Sequence, residues 1–294
     1  MGSRLAEISG EISCVADVKA ILGEGPVWVA RDDALYWVDI NGMKVFRLRD
    51  GDTVSWDTPM KIGSIWPREQ GGFIAGTEQG LAFTHDFNRF NVFANPEEAL
   101  PGNRFNDGKT DREGRFWAGT MDDSERRAAG SLYRVGVDHS VTAIDKGYRV
   151  TNGPAFSPDG CTMYESDSSL QLTYAFDLDE AGNASNRRTF IQFGKGDGYP
   201  DGMTVDAEGC LWIAFWDGWC VRRFSPAGEL LLKLDTPVQR PTSVAFGGEG
   251  LETLFITSAS RDLQGTDLDR QPLAGGLFAA HVGVSGIAEL PFRG

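Results

Sequence analysis

The chain has 294 residues, 41% hydrophobic and 24% charged, which is ample for a sizeable core. Its 42 Asp and Glu against 28 Lys and Arg leave a net charge of −14, arguing against a nucleic-acid partner, which needs a basic face. No apolar run approaches ~18 residues, so nothing reads as a membrane span, and the expected compartment is the cytoplasm.

In chain order, residues 1–10 begin Met-Gly-Ser without an apolar stretch and read as a disordered or tag-like terminus, leaving 11–294 as a single domain. Ile12 to Ala16 reads as a strand preceding the first complete unit. That unit opens with Leu22-Gly23-Glu24-Gly25-Pro26 before the apolar Val27-Trp28-Val29. A polar turn and β-rich run follow (Asp32 to Asp39), then a companion strand (Lys44 to Leu48). The same order returns five times. The second unit has Ile62 to Trp66, then Gln70 to Gly76 and Gly80 to Phe83. The third has Asn103 to Lys109, then Asp111 to Gly119 and Ser131 to Val135, with a polar insertion at Asp122 to Arg127 that reads as an exposed loop or a lid. The fourth has Thr151-Asn152-Gly153-Pro154, Pro158 to Tyr164 and Thr173 to Asp177. The fifth has Pro200-Asp201-Gly202, Asp206 to Ile213 and Val221 to Phe224. The sixth, the weakest match, has Thr242 to Phe246, Glu249 to Ile256 and Gly276 to Ala280.

Aligned at their leading positions (Glu24, Ile62, Asp107, Asn152, Asp201, Thr242), the units step by 38, 45, 45, 49 and 41 residues. A period of that length with about four strands per unit predicts an all-β, six-bladed β-propeller of antiparallel blades. The strand at Ile12 to Ala16 is expected to join the last blade and remove exposed edges. A β-sandwich would show no such repeat. No sustained helical period occurs; Glu97 to Leu100 reads as one short turn at most.

The innermost strands of a propeller face one another across a channel, which brings Glu24, Asn152 and Asp201 to one place. Two carboxylates and an amide oxygen are hard donors suited to Ca²⁺, Mg²⁺, Mn²⁺ or Fe²⁺, and carboxylates also bind Zn²⁺. Each residue alone reads as an ordinary turn former; recurrence at one phase of a repeat points to a shared metal. Three protein ligands leave positions open for water or substrate. In the third unit, Arg104 and Asn106 are candidate substrate contacts, and Asp107 and Lys109 either join them or pair in the channel wall. Trp66 and Trp216 read as core or as an apolar wall beneath a ligand. His85, His139 and His281 lie away from all these positions, which argues against a Ser-His-Asp triad or a histidine-bound zinc. Cys14, Cys161, Cys210 and Cys220 form no C-x-x-C, and the first three are expected to be buried free thiols.

The segments Leu22 to Trp28, Arg104 to Lys109, Gly114 to Met121, Gly130 to Tyr133, Thr151 to Pro154 and Pro200 to Gly202 occur in this order from about Ala20 to Ala280. Together they resemble the senescence-marker/gluconolactonase/regucalcin family of six-bladed sugar lactonases. The stretch Pro272 to Phe278 is similar to the bacterial aldonolactonase branch. The resemblance implies one divalent metal (Fe²⁺, Mn²⁺, Zn²⁺ or Ca²⁺) on Glu24, Asn152 and Asp201, and a sugar lactone contacted by Arg104 and Asn106. It also implies hydrolysis of a pentono- or hexonolactone to the aldonic acid. As a ligand and nearby carboxylate, Asp201 is the expected catalytic base, taking the proton of the attacking water. A non-catalytic calcium-binding or scaffold propeller is the alternative, and an arylesterase or phosphotriesterase a third reading. The sequence does not set the oligomeric state.

Overall fold

The structure, a computed structural model, describes residues 11–294; the disordered or tag-like terminus expected at 1–10 lies outside the described residues. Six four-stranded antiparallel sheets form the blades of a propeller. The inner strands are Gly23–Val29, Ile62–Pro67, Asn103–Thr110, Thr151–Phe156, Tyr199–Val205 and Pro241–Gly247. Each is followed outward by its next three strands in sequence, except in blade six. There Ser13–Ala16 supplies the outermost strand, pairing Cys14 with Phe278, as the sequence predicts.

All six inner strands shift register near their leading end, for example between Glu24 and Val27, Asn152 and Ala155, and Pro200 and Met203. The same shift occurs in blades two, three and six. A bulge adds one residue to the bent strand and re-aims a side chain. At some of these positions the glycine sits where neighbouring inner strands nearly touch, and at Gly25 and Gly153 it takes a positive φ. A Cβ at Gly63 would lie 2.3 Å from the Asn106 carbonyl oxygen, and one at Gly202 would lie 2.0 Å from Ser243 Oγ.

Between the blades lies the core, fully burying Trp37, Trp117, Trp212 and Phe278. Blades three and five share a further device. Asp111 accepts from Trp117 Nε1 at 2.7 Å, Arg115 Nε at 2.6 Å, and the Glu113 and Arg115 amides. Asp206 accepts from Trp212 Nε1 at 2.8 Å, Arg223 Nε at 2.7 Å, and the Glu208 and Cys210 amides. One buried carboxylate thus ties a turn to the tryptophan of the next strand.

The sequence reading missed two elements. A five-residue helix, Thr266–Arg270, lies between the last two strands of blade six. The segment 284–294 crosses the trailing ends of the inner strands. Its Gly286 bridges Asp206, its Leu290 carbonyl accepts from Trp66 Nε1 at 2.9 Å, and its Phe292 bridges Arg68. The cysteines are free, but Cys161 is exposed and Cys14 half-buried; only Cys210 and Cys220 are buried. Cys161 follows the turn Pro158 to Gly160 and precedes the strand that begins at Thr162. Among the described residues no helix is long and apolar enough to cross a membrane.

Candidate active site

At the leading end of the inner strands a cavity of roughly 440 Å³ opens to solvent. Glu24, Arg104, Asn106, Asn152, Ser168 and Asp201 line it, so the structure brings together all five sequence-predicted site residues. All five are buried. Glu24 and Asp201 carry the acidity. Burial first, and then the Asp107 carboxylate, push Glu24 up to about 8, although the Gly25 amide donates to its Oε2 at 3.1 Å. Burial, followed by the charges of Glu24 and Asp107, holds Asp201 well above the usual carboxylate range.

The amide of Asn152 is held from both sides. Its Nδ2 donates to Ser168 Oγ at 2.7 Å, and that hydroxyl donates onward to the Pro200 carbonyl at 2.6 Å. Its Oδ1 accepts from Asn106 Nδ2 at 3.2 Å, which leaves an acceptor lone pair. Asn106 also donates to the Thr151 carbonyl at 2.7 Å, so both its amide protons are committed within the protein. Its own oxygen accepts from Arg104 Nη1 at 2.7 Å. Arg104 Nε in turn binds Asp123 at 2.6 Å, and Lys61 holds the other oxygen of Asp123 at 2.7 Å. The polar insertion of blade three is therefore anchored directly to the site. Glu125 in the same insertion lines the cavity and meets Arg261 of blade six at 2.9 Å.

Asp107, aligned with the ligand positions in the sequence, turns instead toward blade four. The Gly108 amide donates to it at 2.8 Å and the Gly153 amide at 3.0 Å. Burial raises it to about 6, opposed chiefly by Lys109. No Asp107–Lys109 salt bridge forms. Lys109 reaches across the channel to the Met203 carbonyl at 3.2 Å and Thr204 Oγ1 at 3.3 Å, and pairs with Glu289 at 3.3 Å. Trp216 lines the cavity, whereas Trp66 is buried beside Lys109 at the opposite end. The three histidines are exposed and none lines the cavity. Sequence reasoning missed Ser168, Asp123 and the rim residues Arg149, Tyr199 and Arg240.

Among the described residues no group of three or more His, Cys, Asp or Glu is placed to hold a metal. The set at the cavity floor is two carboxylates with an oriented amide oxygen. It nevertheless fits a hard divalent cation. Two buried like charges that favour protonation gain most from a doubly charged ion, and the Asn152 oxygen is held ready.

The SMP-30/Gluconolactonase/LRE-like region profile matches residues 22–260. The 6-deoxy-6-sulfogluconolactonase of Pseudomonas putida is 40% identical over 288 residues, covering 96% of this chain and 99% of that one. Regucalcin of Xenopus laevis is 37% identical, covering 97% and 99%. The crystal structure of a calcium-binding protein, regucalcin, from Agrobacterium tumefaciens superposes with a TM-score of 0.91 at 27% identity, covering 95% of this chain and 96% of that one. The chain belongs to the SMP-30/gluconolactonase/LRE-like family.

Proposed function

We propose that this protein hydrolyses a sugar-derived aldonolactone to its aldonic acid with the help of one divalent cation, and that Asp201 is the catalytic base. The observation that carries the reading is the meeting of Glu24, Asn152 and Asp201 at the floor of one polar cavity that holds no histidine. The sulfogluconolactonase relative acts on a sugar lactone, as its name states, and supports the same chemistry here.

A cation held by Glu24, Asn152 and Asp201 (Fe²⁺, Mn²⁺, Zn²⁺ or Ca²⁺) would supply Lewis acidity to the lactone carbonyl. Arg104 and Asn106 shape the wall against which the sugar is oriented. Asp201 takes a proton from the attacking water as the new C–O bond forms at the carbonyl carbon. The ring C–O bond then breaks, and the ring oxygen receives that proton as it becomes a hydroxyl.

The test is acid release from a panel of pentono- and hexonolactones by chelator-stripped protein, with and without each cation. Turnover should depend on the cation and fall by about 10²-fold or more in Asp201→Asn. Glu24→Gln should weaken cation binding and turnover together. Wild-type turnover in Asp201→Asn would sink the assignment. Cation binding without turnover of any lactone would favour a non-catalytic calcium-binding propeller; the Agrobacterium relative is described as a calcium-binding protein.

A further inference from the structure

The cavity rim is asymmetric. On the side of blades one to three the wall is formed by the buried Leu22 and Met121 and by Glu125. On the side of blades four to six it is formed by Arg149, Tyr199, Trp216 and Arg240. The remaining charged lining groups are the floor acids Glu24 and Asp201, Arg104, and the neighbours Arg261 and Asp262. Arg104 is tied to Asp123 and Asn106, and Arg261 to Glu125 and Asp262.

Arg240 and Arg149 differ from these. Arg240 is largely buried and packed over the Trp216 ring at 4.7 Å from its centroid. Its Nε is fixed by Asp217 at 2.7 Å and its Nη1 by the Arg261 carbonyl. The other edge of the guanidinium, Nη2, makes no hydrogen bond among the described residues. Arg149 is exposed, and its side chain has no ion pair or hydrogen bond among the described residues. Its backbone is nonetheless anchored, because the Arg149 amide donates to Asp167 at 3.0 Å. Between the two lie Tyr199 and Trp216, register partners at the mouth of blade five. Tyr199 is 42% exposed, an aromatic left open to solvent at the cavity mouth.

A fixed guanidinium with a free edge, a second unpaired one and two aromatic faces form a receptor for an anion attached to a carbon skeleton. They sit in a protein of net charge −14, where the unpaired Arg149 and the free edge of the Asp217-paired Arg240 offer local positive potential at the cavity mouth. We infer that the Arg149–Arg240 side of the rim binds an acidic substituent on the exocyclic end of the substrate, so that the lactones turned over carry a sulfonate, phosphate or carboxylate there. This rests on the lactonase reading. With the ester carbonyl at the acidic floor, the tail of the sugar extends toward the rim, and the arginines set specificity without touching the reacting bond.

The experiment compares a neutral hexonolactone with its counterparts bearing a 6-sulfonate, a 6-phosphate or a 6-carboxylate. Wild-type kcat/KM should favour at least one acidic lactone by about tenfold or more, and the three arms rank the anions. Arg149→Gln should lower that preference, mainly through KM, and Arg149→Lys should restore much of it. Arg240→Gln should lower it further, with circular dichroism confirming that the Asp217 contact was not needed for folding. Equal use of neutral and acidic lactones by the wild type, or a preference unmoved in both Gln variants, would overturn the inference while leaving the lactonase reading intact. If no lactone is hydrolysed, that reading fails and calorimetry decides the rim separately. Tighter binding of 6-phosphogluconate than gluconate, lost in Arg149→Gln, supports the anion subsite; equal binding refutes it.

Discussion

Ser168 accepts from the Asn152 amide and donates to the Pro200 carbonyl, so one hydroxyl links Asn152 of blade four to the strand carrying Asp201. Ser168→Ala should leave the fold intact and weaken cation affinity by about 10- to 100-fold, read by titration of chelator-stripped protein. Glu165 makes a different prediction. Neither of its carboxylate oxygens finds a partner, and burial, then the charges of Asp107, Asp145 and Asp167, keep it protonated well above the ordinary range. The unfolded chain releases this proton at ordinary carboxylate pH while the folded chain retains it. The group's contribution to stability therefore falls as pH rises, by about 1.4 kcal/mol per unit, until the folded group itself ionises. Glu165→Gln lacks that slope, so its melting temperature should gain on wild type as pH rises above the ordinary carboxylate range. A constant gap would show that Glu165 is ionised in the fold. At this scale the sequence reveals Glu24, Asn152 and Asp201 because each sits on a local bulge marked by glycine. It is silent on Ser168 and Asp123, whose roles arise from contacts between segments distant in the chain.

The strands and turns carry the most legible part of the molecule. Asp111 and Asp206 appear in the sequence as Asp-x-x-Gly-x-x-Trp, a phrase repeated in blades three and five. The repeat was readable as architecture. The carboxylate bond to the tryptophan N–H was not, and in blade five neither was the bond to arginine, because Arg223 comes from the following strand. Asp206→Ala leaves Arg223 and Trp212 Nε1 without their buried acceptor and should cost about 3–5 kcal/mol, measurable by urea unfolding. The short helix at Thr266–Arg270 escaped notice because five residues give too few turns for a periodic pattern. Of the two alternatives for Asp107 and Lys109, the wall pair does not form, for a related reason. Positions two apart share a face in a regular strand, but the register shift between Phe105 and Gly108 breaks that alternation at Asp107, and Lys109 meets another blade.

Across the whole ring, closure is made twice: laterally by Ser13–Ala16 in blade six, and axially by the segment 284–294. The first follows from the repeat, which leaves one blade a strand short. The second has no period to betray it. Below the site, Lys109 spans from blade three to blade five, Glu289 meets Lys109 and Arg112, and Leu290 fastens to Trp66 and Thr110. These contacts cross the channel below the site, which makes the cavity mouth the route in and out. Water, substrate, product and any ion seated on Glu24 and Asp201 share one doorway, and they must pass in turn. An occupant at the rim corks everything beneath it. Chelators should therefore strip the cation quickly from the free protein and much more slowly when a tight, non-hydrolysed sugar acid sits in the mouth. Such locking in would be absent from a propeller open at both ends.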